Sequence, residues 1–161
     1  MNESIRIGIG YDMHRLIEGR RLVLAGIEIP FEKGLLGHSD SDVLAHALCD
    51  ALLGAAALGD IGAHFPDTDE RWKGASSLDL LAQVVEMIAR LGYRVANVDS
   101  IVMAERPRLR PHIQAMRERL ASTLQIDIDR VSIKAKTGEG LEAIGRGEAM
   151  AAHAVALLIK T

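Results

Sequence analysis

The chain has 161 residues, enough for one domain that buries a sizeable core. Hydrophobic residues make up 48% of it and charged residues 25%, which excludes disordered and collagen-like classes. A formal charge of −3 with 3% aromatic residues supplies neither the basic excess nor the stacking platforms that nucleic-acid binding uses.

In chain order, Met1 to Ile5 lacks a basic segment followed by an apolar one, so no secretory leader is expected. Ile5 to Gly10 alternates isoleucines with Arg6, Gly8 and Gly10, a strand period. Leu22-Val23-Leu24 and Ile27-Glu28-Ile29 flank Ala25-Gly26 and read as a small hairpin. A loop over 31–41 leads to Ser39 or Asp40 as cap of a helix reaching about Leu58. The buried stripe of that helix is Val43, Leu44, Ala47, Leu48, Ala51, Leu52 and Ala55. Residues 59–74 form a long loop, and loops of that length without regular structure are usually functional or disordered.

Ser76 or Ser77 caps a second helix that stops at Gly92. Asn97 to Ala104 reads as a strand, Pro111 opens a third helix ending near Leu124, and Val131 to Ala135 is another strand. The last segment, Glu148 to Ile159, has alanines that favour a helix and a β-branched end that suits a buried strand. Strands alternating with helices give an α/β domain. No apolar run nears the roughly 20 residues of a membrane span. A single cysteine, Cys49, excludes a disulfide framework, so a cytoplasmic protein is expected.

The chemistry concentrates early, where four of six histidines lie within the first 64 residues. Asp12 and His14 are two apart, so a strand that persists this far sends both to one face. A carboxylate and an imidazole suit a divalent transition metal, and His46 on the first helix is a third donor. Asp42 and Asp50, one turn either side of His46, are candidates to accept its second ring N–H. Taken alone, Asp-x-His reads equally as a polar turn after a strand. Gly8-Ile9-Gly10 fails as a dinucleotide fingerprint, because Met13 holds the third glycine's place and a hairpin follows. Thr137-Gly138-Glu139-Gly140 offers backbone N–H groups, a hydroxyl and a carboxylate to a phosphate and a hard cation, or is simply a flexible turn. Arg106 to Pro111 is a basic loop that suits an anion or a solvated cap. Cys49 and His153 read as packing residues, and His64 and His112 have no nameable partner.

Together these blocks resemble the 2-C-methyl-D-erythritol 2,4-cyclodiphosphate synthase family. The match runs through Ile7 to His14, Glu32 to Asp40, Asp42, His46-Ala47, Asp50 to Ala55 and Gly59 to Gly62. It continues through Phe65 to Asp69, Pro111 to Ile113 and Gly145 to Glu148. The resemblance implies one α/β (α+β) domain over 1–161, with a mixed four-stranded sheet covered by helices on one side, plus the hairpin. It further implies a C-terminal strand and a homotrimer around a central axis with active sites between subunits.

The implied substrate is 4-diphosphocytidyl-2-C-methyl-D-erythritol 2-phosphate, and the products are the cyclic diphosphate and CMP. Asp12, His14 and His46 would hold Zn²⁺ or another divalent transition metal. Glu139 would ligate Mg²⁺ or Mn²⁺ on the substrate diphosphate. His38 and Thr137 match the positions that stabilise the reacting phosphates, and Ser39, next to His38, would also bind substrate. Asp60, Ile61, Gly62, Phe65, Pro66, Asp67, Thr68 and Asp69 match the erythritol-binding positions. Ala104, Pro107, Leu109 and Arg110, with Lys136, Thr137, Gly138 and Glu139, match the cytidine and diphosphate pocket.

Departures from the family pattern sit at Lys136 and Gly138, where many members carry threonines, and at Ala143, where many carry phenylalanine lining an axial cavity. Arg146 and Glu148 remain at that cavity's mouth. Two other readings stand beside the cyclase: a metal phosphodiesterase using water as nucleophile, and a metal-binding trimeric scaffold without catalysis.

Overall fold

The computed structural model describes residues 5–161, so the leader reading at Met1 to Ser4 lies outside the described residues. Strand β1 runs much further than its isoleucine alternation predicts, from Ile5 to Glu18. The pairing of Ile5 to Arg15 with Ala149 to Ile159 extends it. Its inward face carries Gly8, Gly10, Asp12, His14 and Leu16, while Ile5, Ile7, Ile9, Tyr11 and Met13 face outward. Strands β2 (Leu22–Leu24) and β3 (Ile27–Ile29) form the expected hairpin.

The 31–41 loop contains a short strand β4 (Lys33–Leu35), which pairs with Leu16 to Glu18. This adds a fifth strand to the four expected. Three residues including Gly34 carry too little pattern to be seen; the extended end of β1 creates the strand. Strands β5 (Tyr93–Met103), β6 (Val131–Lys136) and β7 (Ala149–Lys160) complete a mixed sheet of order β4-β1-β7-β5-β6. β5 and β6 are parallel; the other pairs are antiparallel.

The C-terminal segment is thus a strand, as the resemblance implies, and its alanines have a packing reason. Ala152, Ala154 and Ala156 are buried on the inward face beside Asp12, Gly10 and Gly8. Helix α1 (Val43–Ala55) lies on that floor. A Cβ at Gly8 would stand 1.9 Å from the Ala51 carbonyl oxygen, and one at Gly10 only 1.8 Å from that of Ala47. The strand backbone and the helix therefore touch, which no side chain larger than hydrogen permits.

Asp42, and not Ser39 or Asp40, caps α1: its Oδ1 accepts from Ala45 N–H at 3.1 Å and its Oδ2 from Gly26 N–H at 2.8 Å. The helix stops at Ala55, short of Leu58, where Ala57 turns left-handed at φ 58°. All seven stripe residues are buried, and Ala45, Cys49 and Leu53 are too. Burial on several sides follows because helix α3 (Ser77–Arg90) packs over α1 through Leu78, Leu81, Val84, Val85 and Ile88.

Between them the 59–74 segment is ordered into helix α2 (Ile61–His64) and a 3-10 turn over Glu70–Trp72. Helix α4 (Ile113–Leu124) follows a 3-10 turn at Arg110–His112, where Pro111 sits, and α5 (Glu142–Gly145) breaks the glycine-rich stretch. His153 is exposed against Tyr11, with ring centroids 4.7 Å apart, so it is not a core residue. No described helix is long and apolar enough to cross a membrane.

Candidate metal and substrate site

The glycine floor under α1 sets His46 down beside the end of β1. There Asp12 Oδ2 lies 2.8 Å from His14 Nε2 and 3.0 Å from His46 Nδ1, and the two ring nitrogens are 3.3 Å apart. Ligands at 2.0–2.1 Å from a tetrahedral metal are separated by about 3.3 Å. The triangle is therefore close to one face of a zinc site, and among the described residues it is the one group of three or more donors that could hold a metal ion. A tetrahedral ion held by these three donors would keep its fourth position free.

Back-side bonds aim both rings. His14 Nδ1–H donates to the Leu36 carbonyl at 2.8 Å, leaving Nε2 for a metal. His46 Nε2 lies 2.8 Å from Ser77 Oγ and 3.2 Å from Ser39 Oγ. Neither Asp42 nor Asp50 orients His46: Asp42 caps α1, and Asp50 accepts from Ile61 N–H at 2.8 Å. On a helix, residues one turn along the face are occupied by their own neighbours, whereas the ring tip reaches a different element.

The triad side chains are only 13–26% exposed. Burial disfavours the Asp12 carboxylate, but hydrogen bonds from His14 and His46 outweigh it and hold its pKa well below the usual range. For His14, burial favours the neutral ring, yet the bond and charge of Asp12 win and raise its pKa. A metal entering the triangle displaces that proton. Burial pushes Asp42 up to about 6, against the pull of the N–H groups of Ala45 and Gly26. Burial also raises Asp50, with Ile61 N–H opposing.

Beside the triad opens a cavity of about 380 Å³ lined by His14, His38, Ser39, His46, Ile61, Gly62, Phe65, Pro66, Asp67 and Trp72, among others. Most of the first-half candidates thus converge. His38 Nε2 lies 3.1 Å from the Asp69 carbonyl, which ties it to the 59–74 segment. Asp60 caps α2 through Ala63 N–H, and Asp69 caps the following turn and grips Arg71, so both hold the wall in shape. Thr68 follows on the same segment but is not among the lining residues.

The nucleotide-side candidates do not join them within one chain. Lys136 is in register with Met13 across β5 and β7, so the Thr137–Glu139 loop leaves the sheet at the triad's end. Three strand spacings separate them, about 14 Å. There Thr137 Oγ1 is 3.3 Å from Glu139 Oε1 and accepts Glu139 N–H at 3.2 Å, fixing Glu139 at left-handed φ 53°. Glu105 accepts Gly138 N–H at 3.0 Å. A Cβ at Gly138 would come within 2.6 Å of Gly145 N, so a threonine does not fit this loop.

Arg110 and Lys136 line a separate groove of about 530 Å³ with Lys134. The side chains of Ala104 and Leu109 belong to the core, and the Arg106–Pro107 peptide between them is cis. Ala143 packs with Met103 on a small cluster, and the exposed Arg146 pairs with Glu148 at 2.8 Å. Sequence reasoning missed Ser77, Asp40, Arg20 and Trp72. Arg20 donates to the carbonyls of Gly37 and Ser39 and braces the loop carrying His38.

Residues 5–159 match the family model described as YgbB family. The chain belongs to the YgbB family. A 2-C-methyl-D-erythritol 2,4-cyclodiphosphate synthase from Synechococcus sp. (strain JA-2-3B'a(2-13)) is 62% identical over 156 residues, 97% of this chain and 99% of that one. The bifunctional IspDF of Campylobacter jejuni is 45% identical with a TM-score of 0.96; 99% of this YgbB-family chain is covered, but only 43% of that one. A Plasmodium falciparum IspF structure, a CDP complex, is 33% identical with a TM-score of 0.87, covering 100% of this chain and 99% of that one.

Proposed function

We infer that this chain is a phosphorus–oxygen lyase of the non-mevalonate isoprenoid pathway. It cyclises 4-diphosphocytidyl-2-C-methyl-D-erythritol 2-phosphate to 2-C-methyl-D-erythritol 2,4-cyclodiphosphate and releases CMP. The observation that carries this is the Asp12–His14–His46 triangle opening on the cavity walled by His38 and the 59–74 segment.

An oxygen of the substrate's 2-phosphate attacks the β-phosphorus, the bridging bond to the α-phosphate breaks, and its electron pair leaves with CMP. No water is consumed. The nucleophile is tethered, so the protein's task is to fold the substrate into attack geometry and offset its charge. A divalent transition metal, Zn²⁺ for instance, held by Asp12, His14 and His46 would supply Lewis-acid polarisation of phosphoryl oxygens. Mg²⁺ or Mn²⁺ on the diphosphate would take Glu139 as its protein ligand. His38, whose Nε2–H is held by the Asp69 carbonyl on the cavity wall, and the Thr137 hydroxyl, brought from a neighbouring subunit, are the groups that would stabilise the reacting phosphates.

We assign a homotrimer with sites shared between subunits, formed by the single domain 1–161. Two observations support it. The half-sites lie about 14 Å apart in one chain. The outward face of β1 exposes Ile7 and Ile9 by 71% and 73%, with Ile5, Tyr11, Met13 and Val155 beside them. The test is release of CMP before and after chelation. Activity should vanish on chelation and return with Zn²⁺ and Mg²⁺, and the His46→Ala variant should not recover. Full CMP release by His46→Ala would remove the triad from the reaction.

A further inference from the structure

The bond behind His46 continues into a directed chain. Asp40 reaches from the loop before α1 to the first turn of α3, where its Oδ2 accepts Ser77 N–H at 3.1 Å. Its Oδ1 accepts the Ser77 hydroxyl proton, and also Asp42 N–H at 3.1 Å. A carboxylate accepts only, so the Ser77 proton points to Asp40. The lone pairs of Ser77 Oγ then face His46 Nε2 at 2.8 Å and Ser39 Oγ at 3.3 Å. The ring can satisfy that oxygen only by carrying its proton on Nε2, which leaves Nδ1 turned to Asp12 and His14. Ser39 is a weaker substitute, since it is farther from the ring and already accepts Ser41 N–H at 3.1 Å. Ser77 is fully buried, so no solvent takes the hydroxyl's place.

We propose that Ser77, polarised and oriented by Asp40, is the positioning residue that makes His46 Nδ1 the metal-binding atom. The proposal rests on the metal reading of the Asp12–His14–His46 triangle. It assigns Asp40 two tasks at once: its carboxylate stands in for the missing side-chain cap of α3, where Ser76 makes no such bond, and it fixes the direction of the Ser77 hydroxyl. Helix start and metal ligand are thereby set by one group. An outer partner of a ligating histidine typically changes metal affinity 10–100-fold when lost.

The test is zinc affinity by competition with a chromophoric chelator for wild type, Ser77→Ala and Ser77→Thr. Ser77→Ala keeps the backbone N–H that Asp40 accepts, so α3 retains its start. Its zinc Kd should rise about 10–100-fold at unchanged melting temperature of the metal-free protein, while Ser77→Thr stays within about threefold of wild type. A Ser77→Ala Kd equal to wild type overturns the proposal. If wild type itself binds no zinc, the metal reading falls and the proposal with it, a different result from equal affinities. If Ser77→Ala does not fold, long-range ¹H–¹⁵N spectra of the zinc-loaded wild type decide: Nε2–H with Nδ1 on the metal supports the proposal, and coordination through Nε2 overturns it.

Discussion

Gly10→Ala probes the contact on which the site is built. The new methyl would stand 1.8 Å from the Ala47 carbonyl oxygen and 2.8 Å from its carbon, both backbone atoms that cannot rotate away. Ordinary contact begins at 3.4 Å, so α1 must retreat from β1 by about 1.6 Å. His46, one residue before Ala47, moves with it. Metal–ligand distances tolerate about 0.2 Å, so a ligand triangle with edges of 2.8–3.3 Å cannot survive that displacement. Overpacking of this kind costs about 1–3 kcal/mol, a fall in Tm of about 2–12 °C for a chain of this size.

Gly54→Ala, in the same helix, is the control. Its methyl would meet only the Ile9 carbonyl at 3.8 Å, and the helix gains up to about 1 kcal/mol. Tm by calorimetry and zinc content after dialysis should therefore both fall for Gly10→Ala, while Gly54→Ala keeps its zinc and holds or raises its Tm. A Gly10→Ala protein with wild-type Tm and full zinc would refute the reasoning.

Further outcomes follow from other parts of the structure. Asp42 titrates near 6 in the folded chain against 3.8 ordinarily, so its contribution is complete below about 3.8 and is lost as pH rises through about 6. Asp42→Ala should then destabilise more at pH 5 than at pH 7.5, by roughly 1.4 kcal/mol, the one unit between pH 5 and about 6 at 1.36 kcal/mol per unit; equal losses in urea melts at both pH values would contradict this. Thr137→Ala should lower turnover at least tenfold while zinc content and assembly hold, and unchanged turnover would remove that hydroxyl from the reaction. Mixed trimers of His46→Ala and Glu139→Ala subunits should recover activity that neither has alone; verified mixed trimers without recovery would place both half-sites in one chain.

The triad was legible because two periods locate it. A strand period put Asp12 and His14 on one face, and the predicted first helix carried His46 on the flank opposite Leu44, Leu48 and Ala51. What brought the elements together was not legible, because the signal is the absence of side chains at Gly8 and Gly10. The usual rule that the apolar residues of a strand face its core inverts on β1, where the glycines go in and the isoleucines go out. The same close approach hid β7, whose alanines are the small residues a helix needs beneath it. Ser77 was unreadable for a different reason: its link to His46 spans 31 residues, and a serine at a helix start already has an ordinary explanation as a cap. The family resemblance supplied the C-terminal strand, and the proposed pairing of half-sites also comes from it, since no local pattern carries either.

The most direct measurement is phosphorus NMR of the end products with the cytidine diphosphate substrate, Zn²⁺ and Mg²⁺. Two mutually coupled phosphorus signals from a cyclic diphosphate, together with CMP, are the predicted result. CMP with an open-chain diphosphate would make water the nucleophile and contradict the account.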